Sequence, residues 1–226
     1  EEYGGGGGTF AHEAVLYEEQ ARAGDSAWGV SVHSGIVAHY LLAYASESKK
    51  KEWLPKLASG EWVGAIAMTE PGTGSDLQNI KTRAVRDGDE YVINGAKTYI
   101  TSGVRADYVV TAVRTGGDGA AGISLIVVDK DTPGFAVTRR LDKMGWRSSD
   151  TAELSYTDVR VPATNLIGAE NTGFAQIAAA FVAERIGLAA QAYASAQRCL
   201  DLTVEWCRNR QTFGRPLISR QQVQST

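Results

Sequence analysis

The middle of the chain, from residue 61 to about 162, consists of short runs of β-branched and aromatic residues separated by turn residues. Such runs are typical of strands, and Asp87-Gly88 and Asn94-Gly95 are strong tight-turn dipeptides. Strands spaced this closely along a chain favour an antiparallel sandwich or barrel. The predicted strands are residues 62–68, 81–85, 91–94, 97–101, 108–113, 124–128, 135–138, 152–156 and 159–161.

The two flanks of this region have helical patterns. On the N-terminal side we expect helices at 10–23, at 28–45 behind the capping residues Asp25 and Ser26, and at 46–57 with an interruption at Pro55. On the C-terminal side, Asn171-Thr172 caps an alanine-rich helix that Gly214 and Pro216 end, and small residues of this kind let helices approach closely in a bundle. The sequence therefore predicts an α+β multidomain fold. Its parts are a partial N-terminal helical domain (1–60), a middle antiparallel β-domain (61–165) and a partial C-terminal helical domain (166–226).

Composition narrows the class of protein. Hydrophobic residues make up 43% and charged residues 22% of the 226 residues, which is ordinary for a soluble globular protein. The net charge of −3 without a basic block argues against a nucleic-acid partner, and we find no apolar run of membrane-spanning length and no signal peptide. Cys199 and Cys207 lack disulfide or metal-ligand spacing, so we expect reduced thiols and a cytoplasmic protein. The chain begins without Met and ends within a predicted helix, and we expect a longer protein truncated at both ends.

Four polar stretches carry the chemistry of the sequence. The first, residues 67–76 (AMTEPGTGSD), is a Pro/Gly loop after a strand, whose N–H groups and hydroxyls suit a heterocycle or a phosphate. On these residues alone, a capped turn is the better explanation. The second, residues 94–103 (NGAKTYITSG), places an aromatic and a threonine two positions apart on one strand face. The third is residues 143–154 (KMGWRSSDTAEL), and the fourth is residues 208–217 (RNRQTFGRPL).

In this order and spacing, the four stretches together resemble the acyl-CoA dehydrogenase family. The resemblance spans essentially the whole chain and implies a helical domain, a β-domain and a helical bundle. It further implies FAD as cofactor, acyl-CoA as substrate, an electron-transfer flavoprotein as acceptor, and a homotetramer or homodimer in fatty acid β-oxidation, a part of lipid metabolism. The departures from the family pattern are mild, because Thr73 stands where Ala is common and Tyr99 replaces a frequent Trp.

The resemblance also assigns site residues. Thr69 would bond the pyrimidine edge of the flavin, Tyr99 would cover one side of the ring, and Thr101 would bond flavin N5. Ser75 would lie near both the cofactor and the acyl-CoA. A segment near the C-terminus would reach the FAD of a neighbouring subunit, where an arginine fork suits pyrophosphate. The full set of implied cofactor residues is Ile66, Ala67, Met68, Thr69, Gly74, Ser75, Tyr99, Ile100, Thr101, Arg210, Gln211, Thr212, Phe213 and Gln221.

The catalytic base is expected on the first long C-terminal helix. Removal of a proton α to a thioester suits a carboxylate in an apolar pocket, because desolvation raises its pKa. Glu184 lies in the otherwise apolar run 178–190, followed by Arg185, at the position that isovaleryl- and long-chain-type enzymes use. The resemblance makes Glu184 the base and Arg185 a neighbour on the substrate side, with hydride passing from the β carbon to the flavin. A solvated surface pair is the alternative.

Two other functions fit the same scaffold. Flavin monooxygenases and nitroalkane oxidases share this scaffold but catalyse different reactions, and a truncated, non-catalytic assembly domain is a further alternative.

For the acyl-CoA dehydrogenase activity, the residues expected to bind substrate are Ser75 and Arg185, and we expect no metal site.

Overall fold

The computed structural model describes residues 1–25 and 28–225. These residues form two compact units, one of residues 1–8 and 28–185 and one of residues 9–25 and 186–225. The helices are α1 (Phe10–Ala23), α2 (Val30–Val32), α3 (Ala38–Tyr44), α4 (Glu47–Ser59), α5 (Gly173–Asn209) and α6 (Gln221–Gln224). The strands are β1 (Gly64–Ala67), β2 (Arg83–Asp87), β3 (Glu90–Thr101), β4 (Tyr108–Arg114), β5 (Ile123–Asp129), β6 (Phe135–Arg140), β7 (Thr151–Pro162), β8 (Leu166–Ile167), β9 (Gln211–Thr212) and β10 (Arg215–Pro216).

The first unit is built on one sheet with the strand order β6-β7-β3-β2-β4-β5-β8, and β1 lies beside β4. Most neighbouring strands are antiparallel, as predicted, but β1 and β2 each pair with β4 in parallel. The prediction of a β-domain is confirmed, but the prediction of antiparallel strands did not include these two parallel pairings. The β2–β3 hairpin and its flanking loops return the chain to the same end of the sheet, so β4 runs in the direction of β1.

Two tight-turn predictions had different outcomes. Asp87-Gly88 opens the β2–β3 hairpin, where Asp87 pairs with Glu90 and Gly88 has a φ of 62°. Asn94-Gly95 instead lies inside β3, at a shift in its pairing with β7. A Cβ on Gly95 would lie 2.7 Å from Thr82 Cα, so this glycine serves the close approach of two backbones and makes no turn.

The helices of the first unit begin and end near their predicted limits. The predicted helix at 28–45 consists of α2, a π-helical turn (His33–Val37) and α3, and it starts behind Gly29 rather than behind Asp25. Ser26, the other predicted cap, lies outside the described residues. Pro55 does not interrupt α4, which continues to Ser59 because the neighbouring Leu54 and Leu57 are anchored in the core.

Strand β4 is buried along its whole length, because both of its faces are covered. Tyr108 and Val110 on one face belong to a core shared with α3, α4 and the start of α5. Val109 and Val113 on the other face belong to a second core that includes side chains of β3 and β7. Successive side chains of β4 therefore point to opposite faces of the sheet and pack into two different cores.

The second unit contains α1, the C-terminal part of α5, the β9–β10 hairpin and α6. Helices α1 and α5 approach closely, since a Cβ on Gly187 would lie 3.2 Å from the ring of Tyr17. The prediction that Gly214 and Pro216 end the C-terminal helix was wrong, because α5 ends at Asn209 and these residues belong to the hairpin. Phe213 and Gly214 form its turn, with φ values of 50° and 74°.

Helix α5 also corrects an expectation about membranes. It has 37 residues, and an 18-residue window with a mean hydropathy of 1.3 meets the length and composition of a membrane-crossing helix. Alanine-rich sequence gives this value without a run of large apolar residues. A core helix of a soluble protein meets the same criteria, so length and composition alone are weak grounds for assigning a membrane span.

Candidate active site

The loop that follows β1 is held in a fixed shape by its own backbone. Glu70 and Thr73 exchange two hydrogen bonds, with Glu70 N at 2.8 Å from Thr73 O and Thr73 N at 3.0 Å from Glu70 O. The carbonyl of Thr69 accepts a hydrogen bond from Thr98 N on β3 at 3.0 Å. A Cβ added to Gly72 or Gly74 would meet nothing within 4 Å, so the outer side of the loop is open. This arrangement leaves room for a ligand over the loop.

A buried ion pair supports this loop from below. Lys97 Nζ lies 2.9 Å from Glu70 Oε1 and 2.9 Å from the Met68 carbonyl, and the Lys97 and Glu70 side chains are 0% and 6% exposed. The second Glu70 oxygen accepts from Lys81 N at 2.6 Å, and Oε1 also accepts from Thr82 N at 2.9 Å. Each charge therefore has its partners, and the pair ties β1, β2 and β3 together at the loop.

The two charges of this pair differ in how burial affects them. Desolvation lowers the pKa of Lys97, and the attraction of Glu70 only partly opposes it. Burial raises the pKa of Glu70, but Lys97 and the donors of Thr82 and Lys81 outweigh it and lower the pKa overall. We interpret the pair as ionised at neutral pH, because both oxygens of the carboxylate accept hydrogen bonds.

The Tyr99 side chain is exposed to solvent at an irregularity in strand β3. The pairing of β3 with β7 shifts between Lys97 and Ile100, which is the mark of a β-bulge. Tyr99 has a φ of 59°, a costly conformation for an aromatic residue, and its side chain is 69% exposed. Ile100 is buried and Thr101 is half-buried. The bulge thus places an aromatic ring and a threonine at the surface of β3, next to the loop that Thr98 contacts.

These residues fit a flat, polar cofactor. An exposed ring offers a stacking surface, Thr69 and Thr101 offer hydroxyl groups, and the glycine-containing loop offers open space. Ile66 and Ala67 belong to the end of β1, Met68 is partly buried, and Ser75 is exposed at the far side of the loop. The structure therefore brings the predicted N-terminal group of cofactor residues into one region of the first unit.

Glu184 is half-buried on the N-terminal part of α5. The Tyr40 phenol on α3 donates a hydrogen bond to Glu184 Oε1 at 3.2 Å. Desolvation raises the pKa of Glu184 above its ordinary 4.5, and the Tyr40 hydrogen bond and the Arg185 charge oppose that rise. Arg185 is exposed, and its guanidinium lies 5.4 Å from the centre of the Phe181 ring. No described hydrogen bond or ion pair joins Glu184 to the loop after β1 or to Thr101.

The predicted C-terminal group of cofactor residues lies in the second unit. Arg210 follows α5, Gln211 and Thr212 form β9, and Gln221 begins α6. Arg220 fixes this hairpin, because its guanidinium donates to the Thr212 carbonyl at 2.8 Å and lies 5.3 Å from the centre of the Phe213 ring. Phe213 is 96% exposed.

Sequence reasoning missed three supporting residues. Glu70 and Lys97 belong to the first and second motifs, but no local signal marks them as a pair, because their contact spans 27 positions. Tyr40 gave no such signal, because its contact with Glu184 spans 144 positions. Among residues 1–25 and 28–225, no group of three or more His, Cys, Asp or Glu side chains is placed to hold a metal ion.

Comparison with known proteins supplies the family. Three family models match in sequence order: the acyl-CoA dehydrogenase N-terminal domain at residues 1–61, the middle domain at 65–159 and the C-terminal domain at 171–226. The mitochondrial long-chain specific acyl-CoA dehydrogenase of Sus scrofa is 39% identical over 99% of the chain and 53% of its own length.

Solved structures agree with this match. A putative acyl-CoA dehydrogenase from Mycobacterium smegmatis is 66% identical with a TM-score of 0.95, over 99% of this chain and 59% of that one. A glutaryl-CoA dehydrogenase from the same organism, in complex with FADH2, is 33% identical with a TM-score of 0.90, over 99% and 57%. The chain thus spans between half and two thirds of the length of these relatives. It belongs to the acyl-CoA dehydrogenase family.

Proposed function

We propose that the protein containing this chain removes two hydrogens from an acyl-CoA thioester to give the trans-2-enoyl-CoA, with Glu184 as the base. The observation that carries the proposal is the setting of Glu184. Its carboxylate is half-buried in an alanine-rich helix, and burial raises its pKa. A carboxylate with a raised pKa takes a proton more readily than an exposed one, and this is what abstraction of the weakly acidic α proton requires.

The residues around the loop after β1 hold the cofactor in this proposal. FAD, when bound, would accept the hydride that leaves the β carbon. Tyr99 would cover one side of the flavin ring, and the hydroxyls of Thr69 and Thr101 would hydrogen-bond its polar edge. The buried Glu70–Lys97 pair fixes the loop beforehand, so less ordering is needed on binding. The other residues of this group are Ile66, Ala67, Met68, Gly74, Ser75 and Ile100.

The second-unit residues act between subunits in this proposal. Arg210, Gln211, Thr212, Phe213 and Gln221 would contact the FAD of a neighbouring subunit in a homodimer or homotetramer. Phe213, which is 96% exposed, would offer its ring to this contact. An electron-transfer flavoprotein is the proposed acceptor, and the cytoplasm the proposed location.

Glu184→Gln in the full-length enzyme tests the proposal. The amide keeps the size of the side chain but cannot take a proton, so flavin reduction by acyl-CoA should fall by several orders of magnitude while FAD stays bound. Glu205→Gln, an exposed position on the same helix, is the matched control and should reduce flavin at the unaltered rate. Normal reduction in the Glu184 variant would rule out this base. Failure of wild-type enzyme with every acyl-CoA, but turnover of a nitroalkane or an aromatic substrate, would favour the alternative reactions.

A further inference from the structure

Tyr40 lies buried against the proposed base. Its side chain is 1% exposed in the core between α3, α4 and the sheet, and its phenol donates to Glu184 Oε1 at 3.2 Å. Tyr40 comes from α3 and Glu184 from α5, so the packing of two separate helices creates the contact. A hydrogen bond made by a buried, tightly packed ring has little freedom to move.

The Tyr40 phenol remains a donor across the neutral range. Burial raises its pKa far above the ordinary 10.0, and the charge of Glu184 and the hydrogen bond to it raise it further. Tyr44, on the same helix, acts in the same direction. A phenol that keeps its proton cannot relay one, so its role toward the carboxylate is to donate a hydrogen bond.

This donor acts against the effect of burial on Glu184. Burial alone favours the protonated acid, which cannot act as a base. A hydrogen bond donated to the carboxylate favours the charged form, and Arg185 contributes in the same direction. The Arg185 guanidinium lies over the Phe181 ring, whereas the Tyr40 hydroxyl touches the carboxylate itself. Tyr40 is therefore placed to fix the orientation of the carboxylate as well as its charge.

We propose that Tyr40 is a positioning residue for the base: it holds Oε1 of Glu184 and leaves Oε2 to take the α proton. This inference rests on the proposed role of Glu184. Tyr40 lies outside the four motifs, so the inference adds a residue of α3 to those that orient the base. Tyr40 itself would touch neither the reacting atoms nor the cofactor in this role.

The test measures the protonation of Glu184 directly. In the full-length, FAD-bound enzyme, the carboxylic-acid C=O stretch that disappears in Glu184→Gln identifies this residue in infrared difference spectra, and its intensity against pH gives the pKa. Tyr40→Phe removes only the hydroxyl, and the titration should move to higher pH by about one unit, since a hydrogen bond to a charged group contributes roughly that much. The acid limb of kcat/KM should move by the same amount. Tyr193→Phe, an exposed position on α5, is the matched control and should leave the infrared titration within a few tenths of a unit.

A second variant moves the titration in the opposite direction. Fluorotyrosine at position 40 is a stronger donor of almost the same shape, so it should lower the pKa of Glu184, and it serves if Tyr40→Phe does not fold. An unmoved infrared titration in these variants would overturn the role of Tyr40. The infrared result does not depend on turnover, so full activity in Glu184→Gln would refute the base while leaving the Tyr40–Glu184 coupling measurable.

Discussion

Lys97 on β3 forms an ion pair with Glu70 in the loop after β1, with Nζ 2.9 Å from Oε1, and both side chains are shielded from water. Lys97 also donates to the Met68 carbonyl, so one ammonium group holds the loop at two points. Thr98, the next residue, binds the same loop through its backbone. The shape of the candidate cofactor loop therefore depends on a strand that lies some thirty residues further along the chain.

Loss of the Lys97 charge should be costly. Lys97→Met keeps most of the volume but leaves the Glu70 carboxylate buried without its cation, and we expect the free energy of unfolding to fall by about 3–5 kcal/mol. The double variant Glu70→Gln/Lys97→Met should lose less than the sum of the single variants, because it leaves no unpaired charge. Urea unfolding of the four proteins measures both effects. Lys81→Met, at an exposed position nearby, is the control and should lose little stability. A loss of stability in Lys97→Met as small as that of the control would contradict a structural role for the ion pair.

Acid should weaken the protein through Glu70. Its folded pKa lies below the ordinary 4.5, so the unfolded chain takes up the proton first as the pH falls. The stability that this carboxylate contributes is complete above the unfolded pKa and is lost as the pH drops through the folded pKa. Glu70→Gln should be less stable at neutral pH and should lose less of its stability in acid, which melting temperatures across the acid range can show. Parallel acid curves for the two proteins would refute the assignment.

Tyr99 should affect cofactor binding more than stability. Because the side chain is 69% exposed, Tyr99→Ala should change the free energy of unfolding by no more than about 0.5 kcal/mol. Loss of the ring should weaken FAD binding in the full-length protein by about tenfold, the scale of one aromatic stacking contact. Flavin absorbance after dialysis gives the affinity. Tyr99→Phe keeps the ring and should bind FAD normally, whereas equal binding by the Ala variant would remove Tyr99 from the site.

The decrease of kcat/KM at acid pH should follow the protonation of Glu184. A base acts only when deprotonated, and the pKa of Glu184 is raised above 4.5. We therefore expect kcat/KM for acyl-CoA to fall as the pH drops through a value above 4.5, and to be constant over a range above it. Steady-state rates against pH measure this limb, and Glu205→Gln should retain it. A limb at or below the ordinary carboxyl pKa would show that the group which titrates is not desolvated.

The sequence predicted local features better than long-range ones. The loop at residues 67–76 was placed correctly, and residues 97–101 were correctly assigned to a strand, because turn residues and alternation are local signals. The turn predicted at Asn94-Gly95 was wrong, because β3 continues through it. The bulge at Tyr99 was not predicted, since it depends on the register with β7. The parallel pairing of β1 with β4 and the contact of Tyr40 with Glu184 were also missed, because each joins residues distant in sequence. The domain limits and the roles of the site residues stay predictions.

The π-helical turn at His33–Val37 decides which side of α3 faces α5. Its wider backbone ring closes between the carbonyl of His33 and the amide of Ala38, which takes in one more residue than an α-helical turn. That extra residue advances every later side chain by about 100° around the helix axis. Removal of one residue from this turn would restore ordinary winding and rotate Tyr40 out of reach of Glu184. A local irregularity outside the four motifs thus determines the direction in which the Tyr40 side chain points, and with it the hydrogen bond to Glu184.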